Sequence, residues 1–214
     1  MAKNSEQVDE PHSMQYPIVR ERRKAMLRDQ HIAPLTVYAA KLRKMKRGFV
    51  PEFDPLDGGI NAQILFLFEK PGPMTDVSHG GSGFISRDNN DPTAKATFDF
   101  MHRAGIPREH TLIWNVIPWW NGERKITGAE RRNGVEELKE LITLLPKLKA
   151  VVMVGRQAQK AKKYFCKEPN LMLFESYHTS PLVYARYSDK WKAIPREWRK
   201  AWTWVIKNNQ SSKK

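Results

Sequence analysis

The chain has 214 residues, of which 40% are hydrophobic, and a formal net charge of +14. This length and composition suit one domain with a substantial core. The apolar runs are too short to span a membrane, and the polar N-terminal stretch up to Ser13 does not resemble a secretory signal. Cys166 is the only cysteine, which excludes an intrachain disulfide and a cysteine-ligated metal site and is typical of a reducing, cytoplasmic setting.

The positive charge is concentrated in two flanking segments. Arg20 to Arg47 contains ten Lys/Arg and two acidic residues, and Arg186 to Lys214 contains nine and two. The flanks therefore carry +8 and +7, and the remaining residues sum to −1. A basic surface can serve solubility alone, but a charge distribution of this kind predicts a nucleic-acid partner.

The N-terminal part of the chain predicts helices followed by a buried strand. Residues 1–15 are polar, which favours disorder. Basic helices are predicted over Tyr16–Gln30 and Ala33–Arg47, and together they form a helical extension over residues 16–48. The apolar run Ile64–Phe68 predicts a strand that is buried on both faces.

Three further strands alternate with helices in the rest of the chain. The strands are expected at His110–Val116, Ala150–Val154 and Leu171–Ser176. Helix starts are indicated at Asp91-Pro92, at Thr127 with Glu130 completing a capping box, at Gly155 and at about Pro195. This alternation predicts an α/β fold, a three-layer α/β/α sandwich with a four-stranded parallel sheet. We expect one domain over residues 16–207 and a disordered tail over 208–214.

Polar side chains follow the ends of three of these strands. Glu69 and Lys70 follow the first, Asn115 lies at the end of the second, and His178 follows the fourth. Because the carboxyl ends of parallel strands meet at one edge of a sheet, these side chains should converge there, where open α/β sheets bind ligands.

Five short motifs, in this order and spacing, resemble those of the uracil-DNA glycosylase superfamily over roughly residues 63–186. The motifs are Phe68-Glu69-Lys70-Pro71-Gly72, Gly83-Phe84, Ile113-Trp114-Asn115-Val116, Val151-Val152-Met153-Val154-Gly155-Arg156 and His178-Thr179-Ser180-Pro181-Leu182. The pattern is most similar to that of the bacterial enzymes that carry an iron–sulfur cluster. Since the cluster cysteines are missing here, the resemblance implies a cluster-free relative that needs no metal and no organic cofactor.

The resemblance implies an enzyme that flips uracil out of DNA and hydrolyses its N-glycosidic bond, leaving an abasic site. His178 would donate to the departing base oxygen, Asn115 and Gly72 would contact the base, and Phe84 would stack on it. The DNA would be contacted by Ser180, Pro181, Leu182 as a minor-groove wedge, and Arg186. Each residue also has a structural interpretation, with His178 as a turn residue, Asn115 as a strand-end cap and Phe84 as part of the core.

Lys70 departs from the family pattern, which has Asp, Asn or a small residue at this position. Three interpretations remain open. In the first, Glu69 or Asp76 positions the water while Lys70 contacts backbone or phosphate. In the second, Lys70 has a depressed pKa and attacks the sugar. In the third, hydrolysis is weak and the protein mainly binds uracil-containing or damaged DNA.

The sequence therefore predicts a monomeric DNA-repair glycosylase of the bacterial cytoplasm, associated with the nucleoid and not with a membrane. The alternatives are a glycosylase for another deaminated or damaged base, a non-catalytic binder of uracil-containing DNA, and a small-molecule nucleotide-binding enzyme.

Overall fold

A four-stranded parallel sheet organises the protein, for which the computed structural model describes residues 9–165 and 171–211. In chain order the strands are β1 (Glu52–Phe53), β2 (Ile64–Phe68), β3 (Phe84–Ile85), β4 (Thr111–Asn115), β5 (Ala150–Val154) and β6 (Met172–Ser176). The main sheet has the order β4-β2-β5-β6, and β1 and β3 form a separate parallel pair. The first strand of the main sheet is therefore central, and the chain crosses from one side of it to the other between β4 and β5.

Helices cover both faces of this sheet. They are α1 (Pro17–Ala25), α2 (Ala33–Lys44), α3 (Pro92–Ala104), α4 (Gly128–Thr143), α5 (Arg156–Gln159), α6 (Lys162–Phe165), α7 (Pro181–Arg186) and α8 (Ser188–Ser211). On one face Phe66 of β2 contacts Trp198 of α8, with 4.7 Å between ring centroids. On the other, Trp114 of β4 lies 6.4 Å from Tyr38 of α2, whose hydroxyl donates to the Glu137 carbonyl of α4. The predicted α/β sandwich is confirmed.

Most secondary-structure elements lie where the sequence patterns predict them. The strands at Ile64–Phe68 and Ala150–Val154 have the predicted bounds, and Thr127 and Glu130 form the predicted capping box. Two helices differ from the prediction. The helix expected from Gly155 is divided into α5 and α6, and the last helix starts at Ser188 rather than near Pro195. Pro195 lies inside α8, where burial of Ile194 and Trp198 stabilises a helix that a proline would otherwise end.

The prediction of disorder at both ends is wrong where the structure describes them. Residues 1–8 and 212–214 lie outside the described part, as does Cys166. Met14 is buried, and its backbone N–H donates to the Asp88 carbonyl. At the other end α8 continues to Ser211, and the Asn209 amide donates to Gln63. Tertiary contacts order both segments despite their polar composition. Among the described helices, none has the length and hydrophobicity needed to cross a bilayer.

A buried cluster of charges joins the N-terminal helices to the rest of the fold. Arg108 forms ion pairs with Asp54 at 2.7 Å, Asp57 at 2.9 Å and Asp88 at 2.8 Å, all with buried side chains. Arg23 of α1 reaches into the same cluster and pairs with Asp88 at 2.7 Å. Removing one partner of such a buried pair would leave an uncompensated charge, so the helical extension is integral to the domain.

Candidate active site

A cavity of about 350 Å³ lies at the carboxyl ends of the strands of the main sheet. It borders the end of β2, and the strand order reverses between β2 and its neighbour β5; open α/β sheets bind ligands next to such a point. Its walls include the predicted site residues Glu69, Lys70, Gly72, Asn115 and His178. The structure therefore confirms that these polar side chains converge at one edge of the sheet, as the parallel topology predicts.

His178 is held as a neutral hydrogen-bond donor. Its Nδ1 accepts a hydrogen bond from the Ser180 backbone N–H at 3.1 Å, so in the neutral ring the proton is on Nε2. Burial lowers the pKa of His178 to about 4. At neutral pH the imidazole is uncharged, and its Nε2–H is available to a ligand in the cavity.

The position of the His178 ring is determined by its neighbours. Gly155, at the end of β5, has φ +90°, and a Cβ built there would lie 3.1 Å from Cβ and from Cδ2 of His178. The Phe68 ring meets the imidazole edge-on, with centroids 5.5 Å apart. The next residue, Thr179, is fully buried, and its hydroxyl lies 3.0 Å from that of Thr97 on α3. This hydrogen bond attaches the turn that carries His178 to α3.

Two asparagine amides lie in the cavity wall. Asn115 ends β4 opposite Phe68, is buried, and makes no side-chain hydrogen bond with any described residue. Asn89 donates through Nδ2 to the Phe84 carbonyl at 2.9 Å, which orients the amide. Its Oδ1 is buried and has no partner among the described residues. Since buried polar groups are normally hydrogen-bonded, the Asn115 amide is suited to contact a ligand, whereas the inaccessible Oδ1 of Asn89 is not.

Glu69 and Asp91 both line the cavity, and the Asp91 carboxylate is occupied by hydrogen bonds from the Thr93 and Ala94 backbone N–H groups. Burial raises the pKa of Glu69, and the positive charge of Arg124, which also lines the cavity, acts in the other direction. Its side chain accepts no hydrogen bond within the described part of the protein. Glu69 is therefore an unpaired acceptor in a partly desolvated site.

Lys70 has its own partners. Its ammonium is buried and donates to Glu130 at 2.8 Å and to Asn121 at 2.6 Å. Partial burial opposes ionisation of Glu130, but the hydrogen bond from Lys70 keeps the pKa of that carboxyl below its usual range. An amine must be neutral to attack a sugar, and an ion pair with a carboxylate stabilises the ammonium.

Two residues that are predicted to act on the base or on the water, Phe84 and Asp76, lie outside the cavity wall. Phe84 is 1% exposed and packs with Met14 and Val19 in a small separate core. Asp76 caps a short 3₁₀ turn and accepts hydrogen bonds from the Ser78 N–H at 2.9 Å and from its hydroxyl at 2.7 Å. Burial opposes the ionised form of Asp76, but these hydrogen bonds lower its pKa. The structure thus gives both residues structural contacts and brings neither to the site.

The predicted DNA-contacting residues form a protruding turn beside the cavity. Ser180 precedes α7, and Pro181 is its first residue. Leu182 is 74% exposed, and Arg186 is also exposed. Leu182, in the first turn of α7, is therefore accessible to a partner.

Asn89, Arg124 and Gly155 have no role that sequence patterns predict. Asn89 lies in a loop whose polar residues give no periodic signal, and Arg124 lies within the loop between β4 and α4, which sequence patterns do not orient. The pattern marks Gly155 as the end of a strand, but its contact with His178 depends on the pairing of β5 with β6, after which His178 follows.

Comparison with known proteins identifies the family of this fold and site. The model of the Uracil DNA glycosylase superfamily matches residues 55–205, which includes every strand of the main sheet and the whole cavity wall. A search of curated proteins found no match to the chain.

Proposed function

The chain belongs to the uracil DNA glycosylase superfamily of DNA-repair glycosylases, and we propose that it removes uracil from DNA and leaves an abasic site. The observation that carries the proposal is the pairing, in one cavity, of a neutral imidazole donor with an amide that has no partner among the described residues. His178 and Asn115 offer the donors and the acceptor that the O2, N3–H and O4 edge of uracil requires.

The proposed reaction breaks the bond between C1′ of the deoxyribose and N1 of uracil. The bonding electrons move onto the base, where N1 and O2 share the negative charge, while positive charge develops on the sugar. The Nε2–H of His178 donates to O2 as that charge develops. A preorganised donor of this kind contributes roughly 3–4 kcal/mol to transition-state stabilisation. Because the ring is neutral before the reaction, it can act as a donor without losing its proton.

Glu69 is the group that we assign to water positioning. Its carboxylate, unpaired within the described residues, can accept a hydrogen bond from a water whose oxygen attacks C1′. One proton of that water leaves to the carboxylate or to solvent, and the departing uracil anion takes up one proton from solvent, so the products are free uracil and a C1′ hydroxyl. Of the three interpretations of Lys70, the ion pair with Glu130 favours the first, in which Lys70 is an anchor of the cavity wall. Asp76 is left with its capping role.

Base recognition in this proposal depends on the Asn115 amide and not on Phe84. Asn115 reads the edge of the base, and Gly72 leaves the adjacent space open, because a Cβ added there meets no atom within 4 Å. Leu182 fills the space of the flipped nucleotide, with Ser180 and Pro181 shaping its turn, and Arg186 contacts phosphate.

A second candidate substrate is a deaminated purine such as hypoxanthine. One observation favours it: Phe84 packs in a separate core and does not close the cavity against a larger base. The N1–H and O6 of hypoxanthine offer the same donor–acceptor pair as N3–H and O4 of uracil.

The test is base release from end-labelled oligonucleotides that carry one uracil, in single strands and opposite G or A. Alkaline cleavage reveals the abasic sites, and a hypoxanthine substrate runs in parallel. Wild type should release uracil, and Asn115→Ala and His178→Ala should each lose about 10²-fold or more of that rate. Lys70→Ala should retain chemistry and lose thermal stability. Absence of release by stoichiometric wild type that still binds the DNA would rule out the uracil hydrolase.

A further inference from the structure

Three tyrosine side chains are exposed beside the cavity and have no role in the reaction described above. Tyr177 is 43% exposed, and Tyr184 and Tyr187 are each 47% exposed. Tyr177 immediately precedes His178, and the other two lie on or directly after α7, which begins next to the same turn. We call these three residues the tyrosine surface. Aromatic side chains are usually buried to a large extent, so three half-exposed ones in so short a segment are unusual.

Contacts with neighbouring aromatic rings hold the side chains of the tyrosine surface in place. The rings of Tyr177 and Tyr187 lie 6.0 Å apart, and the ring of Tyr184 lies 4.9 Å from that of Trp191. Trp191 in turn donates through its indole N–H to the Thr179 carbonyl, 3.1 Å away. The ring of Tyr184 is therefore connected to the turn that carries His178, and the rings of Tyr177 and Tyr187 hold each other in place, so binding to them needs little additional ordering.

Positive charge accompanies these rings. Residues 177–192 contain Arg186, Lys190 and Lys192 and the single acidic residue Asp189, so the segment is net positive. Both Arg186 and Lys190 are exposed. Exposed aromatic rings interleaved with cations form the combination that binds single-stranded nucleic acid, in which bases stack on the rings and phosphates pair with the cations.

We propose that the tyrosine surface binds the single-stranded DNA that flanks the target nucleotide, with unpaired bases stacked on Tyr177 and Tyr187. The proposal rests on the proposed function in taking DNA as the substrate, and it adds a preference for single strands over duplex. In a duplex the faces of the bases are already stacked on each other, so only a single strand or a locally melted end can use the rings.

The test measures binding and not base release. Fluorescence anisotropy with a fluorescein-labelled oligothymidine without uracil gives the single-strand affinity, and a uracil-free duplex of the same length gives the reference. Tyr177→Ala and Tyr187→Ala should each weaken single-strand binding at least about fivefold, the lower end of the loss expected for one stacked base. The duplex affinity should change by less than about twofold.

Three controls separate base stacking from charge effects and from a general loss of apolar surface. Tyr177→Phe and Tyr187→Phe keep the ring and should bind like wild type. Met172→Ala removes an equally exposed apolar side chain from the opposite end of β6 and should have no effect. The dependence of log affinity on log salt should keep its slope in the tyrosine variants and become shallower in Arg186→Ala, because only phosphate contacts release counterions.

Equal losses on single strands and duplex, no loss in folded alanine variants, or loss in the Phe variants would each overturn the proposal. Thermal melting of every variant identifies failures to fold. Since the oligonucleotides contain no uracil, a failure here leaves the glycosylase assay unaffected, and a failure of uracil release leaves this binding measurement interpretable.

Discussion

Replacing Gly155 by alanine should displace His178 while leaving the rest of the cavity intact. The added methyl group would lie 3.1 Å from two atoms of the imidazole side chain, closer than ordinary van der Waals contact. Gly155 also has φ +90° and ψ 158°, a region essentially restricted to glycine. The backbone strain costs about 1–3 kcal/mol, and the crowding is relieved only if His178 moves by a few tenths of an ångström or more.

This displacement acts on the step in which the donor must meet the developing charge. A shift of about 1 Å in a reacting group can reduce a rate about 10²-fold. We therefore expect Gly155→Ala to lose about tenfold to a hundredfold in the single-turnover rate of base release, with DNA affinity close to that of wild type. The assay measures the single-turnover rate of base release with saturating enzyme. Thermal melting measures the stability of the same variant.

A matched control separates the loss of the donor from the backbone strain. Gly105, at the end of α3, has φ +70°, but a Cβ there meets no atom within 4 Å. Gly105→Ala should lose about 1–2 kcal/mol of stability and keep the rate of wild type. If folded Gly155→Ala released base as fast as Gly105→Ala, the assignment of His178 as the positioned donor would be refuted.

Three further predictions concern the carboxylates and the cavity. Burial raises the pKa of Glu69, while His178 stays neutral down to about pH 4, so single-turnover rates should fall at acidic pH as Glu69 is protonated. Glu69→Gln should lower the rate and abolish this fall at acidic pH. If the fall were unchanged in Glu69→Gln, Glu69 would be excluded as its cause. Gly72 has an extended backbone that any residue adopts, so Gly72→Phe should fold normally, fill the cavity and abolish release, and normal release would show that the base binds elsewhere. Burial raises the pKa of Asp57 to about 7, although the charge of Arg108 opposes this shift. The contribution of Asp57 to folding stability is therefore fully present when the pH is below the ordinary pKa of an aspartate, and it is lost as the pH rises through about 7. Urea unfolding between about pH 4 and 8 should therefore show a loss of stability with rising pH that Asp57→Asn reduces, and parallel curves would contradict this.

Local patterns were sufficient for the elements and for the edge of the sheet that carries the site. An unbroken apolar run located β2, a capping box located the start of α4, and the rule for parallel strands placed Asn115 and His178 at one edge. These signals are readable because each depends on residues within a few positions of one another, or on a topology with few alternatives.

The partners of individual side chains depended on contacts between distant parts of the chain. Phe84 packs on Met14 and Val19 of the N-terminal segment, and Lys70 meets Glu130 in the first turn of α4. The local sequence around each of these residues is compatible with a side chain that faces the cavity and with one that faces a neighbouring helix, so it does not predict which of the two occurs. What decides between these outcomes is how the N-terminal helices and α4 pack against the sheet, since burial and ion pairing are free energies of the assembled fold.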